Sequence, residues 1–129
     1  DHVREGFVAT TSARHHFLSN KTLSDMVRCN HEAYAATHGY HYANPLLNTS
    51  SWQASRFVLN GIRYKTFAIL SHLDSYDVVI WIDYDATFYN MGMPVTHWTD
   101  NMGAAEILMA ADIPGYKFNT GLQIIKSSE

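Results

Sequence analysis

The stretch Tyr76 to Ile82, with Val78-Val79-Ile80-Trp81-Ile82 at its heart, is almost unbroken in apolar residues and constrains the chain more than any other segment. A strand that shows no polar alternation is one covered on both faces, and such strands belong to parallel sheets padded by helices on either side. The segments around it agree with that reading. Phe7-Val8-Ala9-Thr10-Thr11 is a short apolar and β-branched run, read as a first strand leading into the polar loop Ser12-Ala13-Arg14-His15-His16. Thr22 precedes Asp25 at capping-box spacing, and Leu23, Met26, Val27, Asn30, Tyr34 and Ala35 follow at helical intervals, with Gly39 placed to end the helix. Tyr40 to Ala43 reads as a second strand, stopped by Pro45.

From Ala54 to about Leu73, Val58, Leu59, Ile62, Ile69 and Leu73 recur at three- and four-residue intervals, which predicts a second amphipathic helix. Beyond the apolar stretch, Ala104 to Ala111 fits a helix or a strand, and Phe118 to Ile125 a further strand. Strand, helix, strand, helix, strand is the order of an α/β fold, and 129 residues without repeat or linker make one domain, 1–129.

Composition narrows the function. A formal net charge of −3 with 16% charged residues gives no basic stripe for a polyanion, so no nucleic-acid partner is expected. No apolar run approaches the ~20 residues that span a bilayer, so no membrane contact by this segment is expected. Cys29 is the single cysteine, which excludes an intrachain disulfide and a cysteine-based zinc site; it is expected to be a buried thiol. The sequons Asn20-Lys21-Thr22 and Asn48-Thr49-Ser50 permit a secretory address.

The apolar stretch runs into Asp83-Tyr84-Asp85. Ligands of open α/β sheets gather outside the carboxyl ends of the strands, where this pair lies. In an extended segment residues i and i+2 project to one side, so both carboxylates would face one hard cation, with Tyr84 turned away. Magnesium and manganese are commonly held by one or two carboxylates, with substrate phosphate and water completing the shell. A bare Asp-x-Asp also caps strands or decorates loops. Asp83-Tyr84-Asp85-Ala86-Thr87 matches, in addition, the signature of haloacid-dehalogenase-type phosphatases, in which Asp83 would be a nucleophile. That signature normally sits on the first core strand, with a Lys and an acidic pair well downstream. Here it is on the third, and the later acidic candidates are Glu106, Asp112 and Glu129.

Four segments taken in order, Asn30-His31-Glu32-Ala33-Tyr34-Ala35 with Gly39-Tyr40, then Lys65, then Trp81-Ile82-Asp83-Tyr84-Asp85-Ala86, then Asn119-Thr120-Gly121, resemble glycosyltransferase family 34. These are galactosyl-, mannosyl- and xylosyltransferases of fungal and plant Golgi membranes. The resemblance implies the GT-A fold, a Rossmann-like, mostly parallel sheet flanked by helices, and transfer of a sugar from a UDP- or GDP-sugar to a glycan or glycoprotein acceptor. It implies a divalent metal, Mn2+ or alternatively Mg2+, held by Asp83 and Asp85, with Asp85 the direct ligand and Asp83 also near the ribose. Ala9, Thr10 and Thr11 would meet base and ribose, Lys65 would face the nucleotide pocket, and Asn119, Thr120 and Gly121 would line the donor-sugar side; Arg14, by its charge beside the first loop, is a separate candidate for neutralising phosphate.

A lysine on a helix is otherwise a solvated charge, and Gly121 could simply permit close backbone approach within a strand. Of the eight histidines, His15 and His16 read as surface residues, His31 and His38 as packing or solvated ones, and His97 with Trp98 as an ordinary loop pair, with a loop closing over the donor as the alternative. Asn30 to Tyr34 reads as structural, with Tyr34 packing the helix on the sheet. GT-A domains of this kind run on past the Asn-Thr-Gly strand into the acceptor half. The chain is therefore expected to be the nucleotide-binding half of a longer Golgi or secretory-pathway enzyme whose membrane anchor it does not carry, or else a non-catalytic binding module of the same fold. No catalytic base or nucleophile for the transfer is assignable.

Overall fold

The computed structural model describes residues 5–10, 21–44, 61–115 and 117–127. Five strands, β1 (Glu5–Thr10), β2 (His41–Ala43), β3 (Val78–Asp83), β4 (Ile107–Ala110) and β5 (Asn119–Lys126), form one sheet in the order β2-β1-β3-β5-β4. The sheet is mixed. β2, β1 and β3 are parallel, whereas β5 runs antiparallel to both of its neighbours. Helices α1 (Lys21–His38) and α2 (Gly61–Leu73) supply the crossovers, and a short helical turn, Thr96–Thr99, follows β3. The expected α/β architecture is present, with the central strand where its continuous apolar run put it.

Burial on both faces explains β3. Val78, Ile80 and Ile82 pack with Tyr34, Ala35, Val95 and Ile124 on one side of the sheet, and Val79 and Trp81 pack with Ala68, Ile69 and Ile125 on the other. Side chains alternate across a strand, so one strand feeds both cores. α1 lies over the first and α2 over the second. The buried stripe of α1 is Val27, His31, Tyr34 and Ala35, a spacing of four, three and one that holds one helical face. Leu23 and Met26, expected on that stripe, are exposed. On another face Arg28 reaches Glu32 at 2.8 Å, an i to i+4 ion pair.

Gly39 ends α1 as expected. Its φ of +73° lets Tyr40 N–H reach the Ala35 carbonyl at 2.9 Å while Gly39 N–H reaches that of Ala36 at 3.4 Å, the paired bonds of a Schellman turn. The ambiguous segment 104–111 resolves as β4, the edge strand. Ile107 and Leu108 are both exposed, so neither face alternates with the other and no periodicity marks the strand. Cys29 departs from expectation: it is exposed, since it falls on the outer side of α1 between Arg28 and Asn30. No described helix is long and apolar enough to cross a membrane.

Candidate functional site

One end of the sheet collects the residues singled out in the sequence. β3 ends there at Asp83, β5 begins there at Asn119, and β1 ends alongside, with Ala9 opposite Ile82 and Thr10 opposite Asp83 in register. The antiparallel register of β3 and β5 pairs Trp81 with Gln123 and Ile82 with Leu122, which carries Gly121 next to Asp83. The amino-terminal half of α2 brings in Lys65. Thr11 and Arg14 lie outside the described residues, as do His15 and His16.

The Asp83 carboxylate is held from two directions. Lys65 Nζ sits 2.8 Å from Oδ1, and the indole Nε1–H of Trp81 donates to the same oxygen at 2.6 Å. Trp81 and Asp83 are two apart in an extended strand, so they share the face that α2 covers. The Trp81 ring is 1% exposed and fixes the donor. Lys65 is no solvated charge. Its side chain is 13% exposed against 25% for that of Asp83, and Nζ also donates to the Thr120 carbonyl at 2.6 Å and to Thr120 Oγ1 at 3.3 Å. It lies 5.4 Å from the Trp81 ring centre, within cation-π range. A charge pair so shielded keeps more of its Coulomb attraction than an exposed one.

The second carboxylate oxygen of Asp83 points elsewhere. A Cβ at Gly121 would lie 3.4 Å from Asp83 Oδ2 and 2.8 Å from Asn119 Oδ1. Glycine therefore keeps open a small space between two oxygen atoms that any other residue would fill. Asn119 Oδ1 is oriented by the Gly121 N–H at 2.7 Å.

Asp85 arrives by a different route from the one the sequence suggested. The strand stops at Asp83, and Ala86 N–H bonds the Asp83 carbonyl at 3.0 Å, closing a turn over residues 83–86. Asp85 is exposed on that turn, and Tyr84 is buried. The two carboxylates do not lie along one extended segment; the turn presents one and the strand end the other. Among the described residues no three His, Cys, Asp or Glu side chains gather as a metal site. The donors at this end are oxygens, Asp83 Oδ2, Asn119 Oδ1 and the Asp85 carboxylate, which suits a hard cation that takes its remaining ligands from phosphate and water. By donor type, Asp83 Oδ2 and Asn119 Oδ1 could serve a magnesium- or manganese-type ion, with Asp85 on the adjoining turn.

The segment after the turn is held by α1. Asn30 Nδ2 donates to the Phe88 carbonyl at 3.0 Å while its Oδ1 accepts from Phe88 N–H at 2.8 Å, a pairing like that of a neighbouring strand. His31 Nε2 donates to the Ala86 carbonyl at 2.7 Å, and Tyr34 stacks on Phe88 at 3.6 Å with its hydroxyl donating to the Met93 carbonyl at 2.7 Å. His38 Nε2 reaches the Met91 carbonyl at 2.8 Å, and the Tyr40 hydroxyl accepts from Val95 N–H at 2.9 Å. Burial pushes the His31 imidazole below its ordinary pKa against a smaller opposing effect of the Ala86 carbonyl. It is therefore neutral at pH 7, with its proton on Nε2. Trp98 packs half-buried against the core, with His97 exposed beside it, so the pair is anchored in the short helical turn.

No protein family and no curated protein matches the sequence. The fold does find a counterpart. The chain superposes on the crystal structure of a glycosyltransferase involved in the glycosylation of the major capsid of PBCV-1, with a TM-score of 0.60 at 18% identity, over 95% of this chain and 60% of that one. The chain thus spans about three fifths of that enzyme's length, and what it shares with it is the fold of a glycosyltransferase.

Proposed function

We propose that the chain is the nucleotide-sugar-binding part of a metal-dependent glycosyltransferase of the family 34 type, acting on a UDP- or GDP-sugar donor and a glycan or glycoprotein acceptor in the Golgi or secretory lumen. The observation that carries the proposal is the oxygen-lined opening at Gly121, next to an Asp83 whose other oxygen is already committed to Lys65 and Trp81. Asp83 Oδ2 and Asp85 would hold Mn2+ or Mg2+, with Asn119 and Thr120 beside the donor sugar and Ala9 and Thr10 at the nucleotide. When bound, such an ion neutralises charge on the departing diphosphate. Lys65 adds a point charge at the same end of the sheet and suits a phosphate oxygen. Trp81 and Lys65 orient Asp83 in advance, so the carboxylate needs no reordering when the donor arrives.

The test is titration of UDP and GDP with and without Mn2+, for the chain and for Asp85→Asn. Binding should strengthen at least tenfold with Mn2+, and Asp85→Asn should erase that gain. An Asp85→Asn protein with undiminished metal dependence would sink the proposal. Metal-dependent binding without hydrolysis or transfer of the donor would favour a binding module. Phosphate release from a simple phosphomonoester, abolished in Asp83→Asn, would point to the phosphatase chemistry.

Gly121→Ala makes a narrower prediction. The new Cβ must displace Asn119 Oδ1 and encroach on Asp83 Oδ2, yet Asn119 is exposed and can turn to water. Mn2+-dependent affinity should fall by about tenfold, within the range of changes around first ligands, with the thermal midpoint nearly unmoved. Calorimetric titration and a melt on one sample check both halves.

A further inference from the structure

The bonds that α1 makes to the segment behind Asp85 exceed what packing a helix requires. Ala86, the residue after Asp85, has both backbone polar groups bound: its N–H goes to the Asp83 carbonyl at 3.0 Å and its carbonyl accepts from His31 Nε2 at 2.7 Å. Two residues on, Phe88 has both of its backbone groups bound by Asn30. His31 is 2% exposed, and its ring meets that of Phe88 edge-on with centroids 5.9 Å apart, so its donor has little freedom to wander. Asp85 is exposed on the turn between these anchors, with Ala86 fixed on its one side and the strand residue Asp83 on the other. An exposed turn carboxylate has no orienting partner of its own in solvent; here its backbone is oriented from behind by a helix more than fifty residues earlier in the chain.

We propose that His31, supported by Asn30, is a positioning residue for Asp85: it fixes the Ala86 carbonyl and thereby the pose in which the Asp85 carboxylate meets the cation. This rests on the reading of Asp83 and Asp85 as metal ligands. The arrangement gives the Asn-His-x-x-Tyr stripe of α1 a purpose beyond the core. Tyr34 supplies the apolar contact, and the two polar residues set the turn. Residues that orient a first ligand typically change metal affinity by about 10- to 100-fold when replaced.

The experiment follows free Mn2+ by its electron paramagnetic resonance signal, with and without UDP and GDP, in the unaltered chain and in His31→Gln, His31→Asn and His31→Leu. The glutamine amide can place a donor close to the position of Nε2, whereas the asparagine amide is too short to reach Ala86. We expect Mn2+ affinity in the presence of nucleotide to drop at least tenfold in His31→Asn and His31→Leu and to stay within about threefold in His31→Gln, with metal-free nucleotide affinity unchanged in all. If His31→Leu fails to fold, the Gln and Asn pair decides, since both keep a polar side chain at the site. Equal affinities in Gln and Asn, whether both native or both reduced, would overturn the inference. If the unaltered chain binds no Mn2+ with nucleotide, it is the metal reading that fails, separately from the role of His31.

Discussion

Asp83→Ala should abolish the Mn2+-dependent part of nucleotide binding and lower stability by about 2–4 kcal/mol, an unusual pairing of losses for a residue at a strand end. The stability loss has two sources. The indole N–H of Trp81, on a side chain that is 1% exposed, loses its acceptor at 2.6 Å, and an unsatisfied donor in such surroundings costs about 1–3 kcal/mol. Lys65, 13% exposed, keeps its bonds to Thr120 but loses the carboxylate that balanced its charge. Because the pair is only partly shielded, the penalty falls below that of a fully buried pair. Adding Lys65→Met to Asp83→Ala should therefore recover about 1–2 kcal/mol, since the stranded cation goes with it, while binding stays lost. Urea midpoints for the two single variants and the double variant measure the coupling. A double variant no more stable than Asp83→Ala would mean that the ion pair contributes nothing to the fold. Undiminished metal-dependent binding in Asp83→Ala would remove Asp83 from the site.

The contrast between this end of the sheet and the segment behind it shows what the sequence made legible. Features encoded in adjacent residues could be read: the unbroken apolar run of β3, the helix stop at Gly39, the strand around Asn119-Thr120-Gly121. Lys65 on a helix has the sequence pattern of a solvated charge, because nothing in a local window shows that α2 crosses over Trp81. The partner of Asp83 was thus visible only in three dimensions. The turn at residues 83–86 escaped for a different reason. Asp83-Tyr84-Asp85 continues a strand in pattern, and the hydrogen bond that stops it joins backbone atoms, which carry no residue-type signal. The antiparallel course of β5 was equally invisible, since neither residue type nor apolar pattern records the direction in which a strand runs. The polar residues of α1 were the least legible. Asn30, His31 and His38 are separated by 53 to 58 residues from the carbonyls they bind, and without those partners they resemble an ordinary wet face. Met26 is apolar and yet exposed, whereas His31 is buried with its Nε2–H donated to a backbone carbonyl that the burial would otherwise leave without a donor.

Tyr34→Ala is the substitution expected to cost the fold most, about 3–5 kcal/mol, as for other large aromatic residues removed from a core. Tyr34 is fully buried, packs with Ile80, Ile82 and Val95, and lies parallel to the Phe88 ring at 3.6 Å between centroids with a tilt of 3°. Its hydroxyl also donates to the Met93 carbonyl at 2.7 Å. Alanine would leave a cavity bordered by β3 on one side and the 86–95 segment on the other, and neither wall can close it: β3 is fixed in the sheet, and the segment is tied at Phe88, Met91 and Val95 by Asn30, His38 and Tyr40. The penalty should therefore sit toward the upper end of that range, where surroundings relax least. Tyr34→Phe separates the two contributions. It keeps the ring stack and strands only the Met93 carbonyl, so about 1–2 kcal/mol should be lost. A total stability of about 5–15 kcal/mol leaves the phenylalanine variant folded and the alanine variant close to its limit. Chemical denaturation reads both values. Hydrogen exchange adds the structural readout, because Tyr34→Phe should speed exchange in the 86–95 segment while leaving the amides of β3 and β5 protected. A loss under 1 kcal/mol in Tyr34→Ala would show that α1 is not what holds this segment to the sheet.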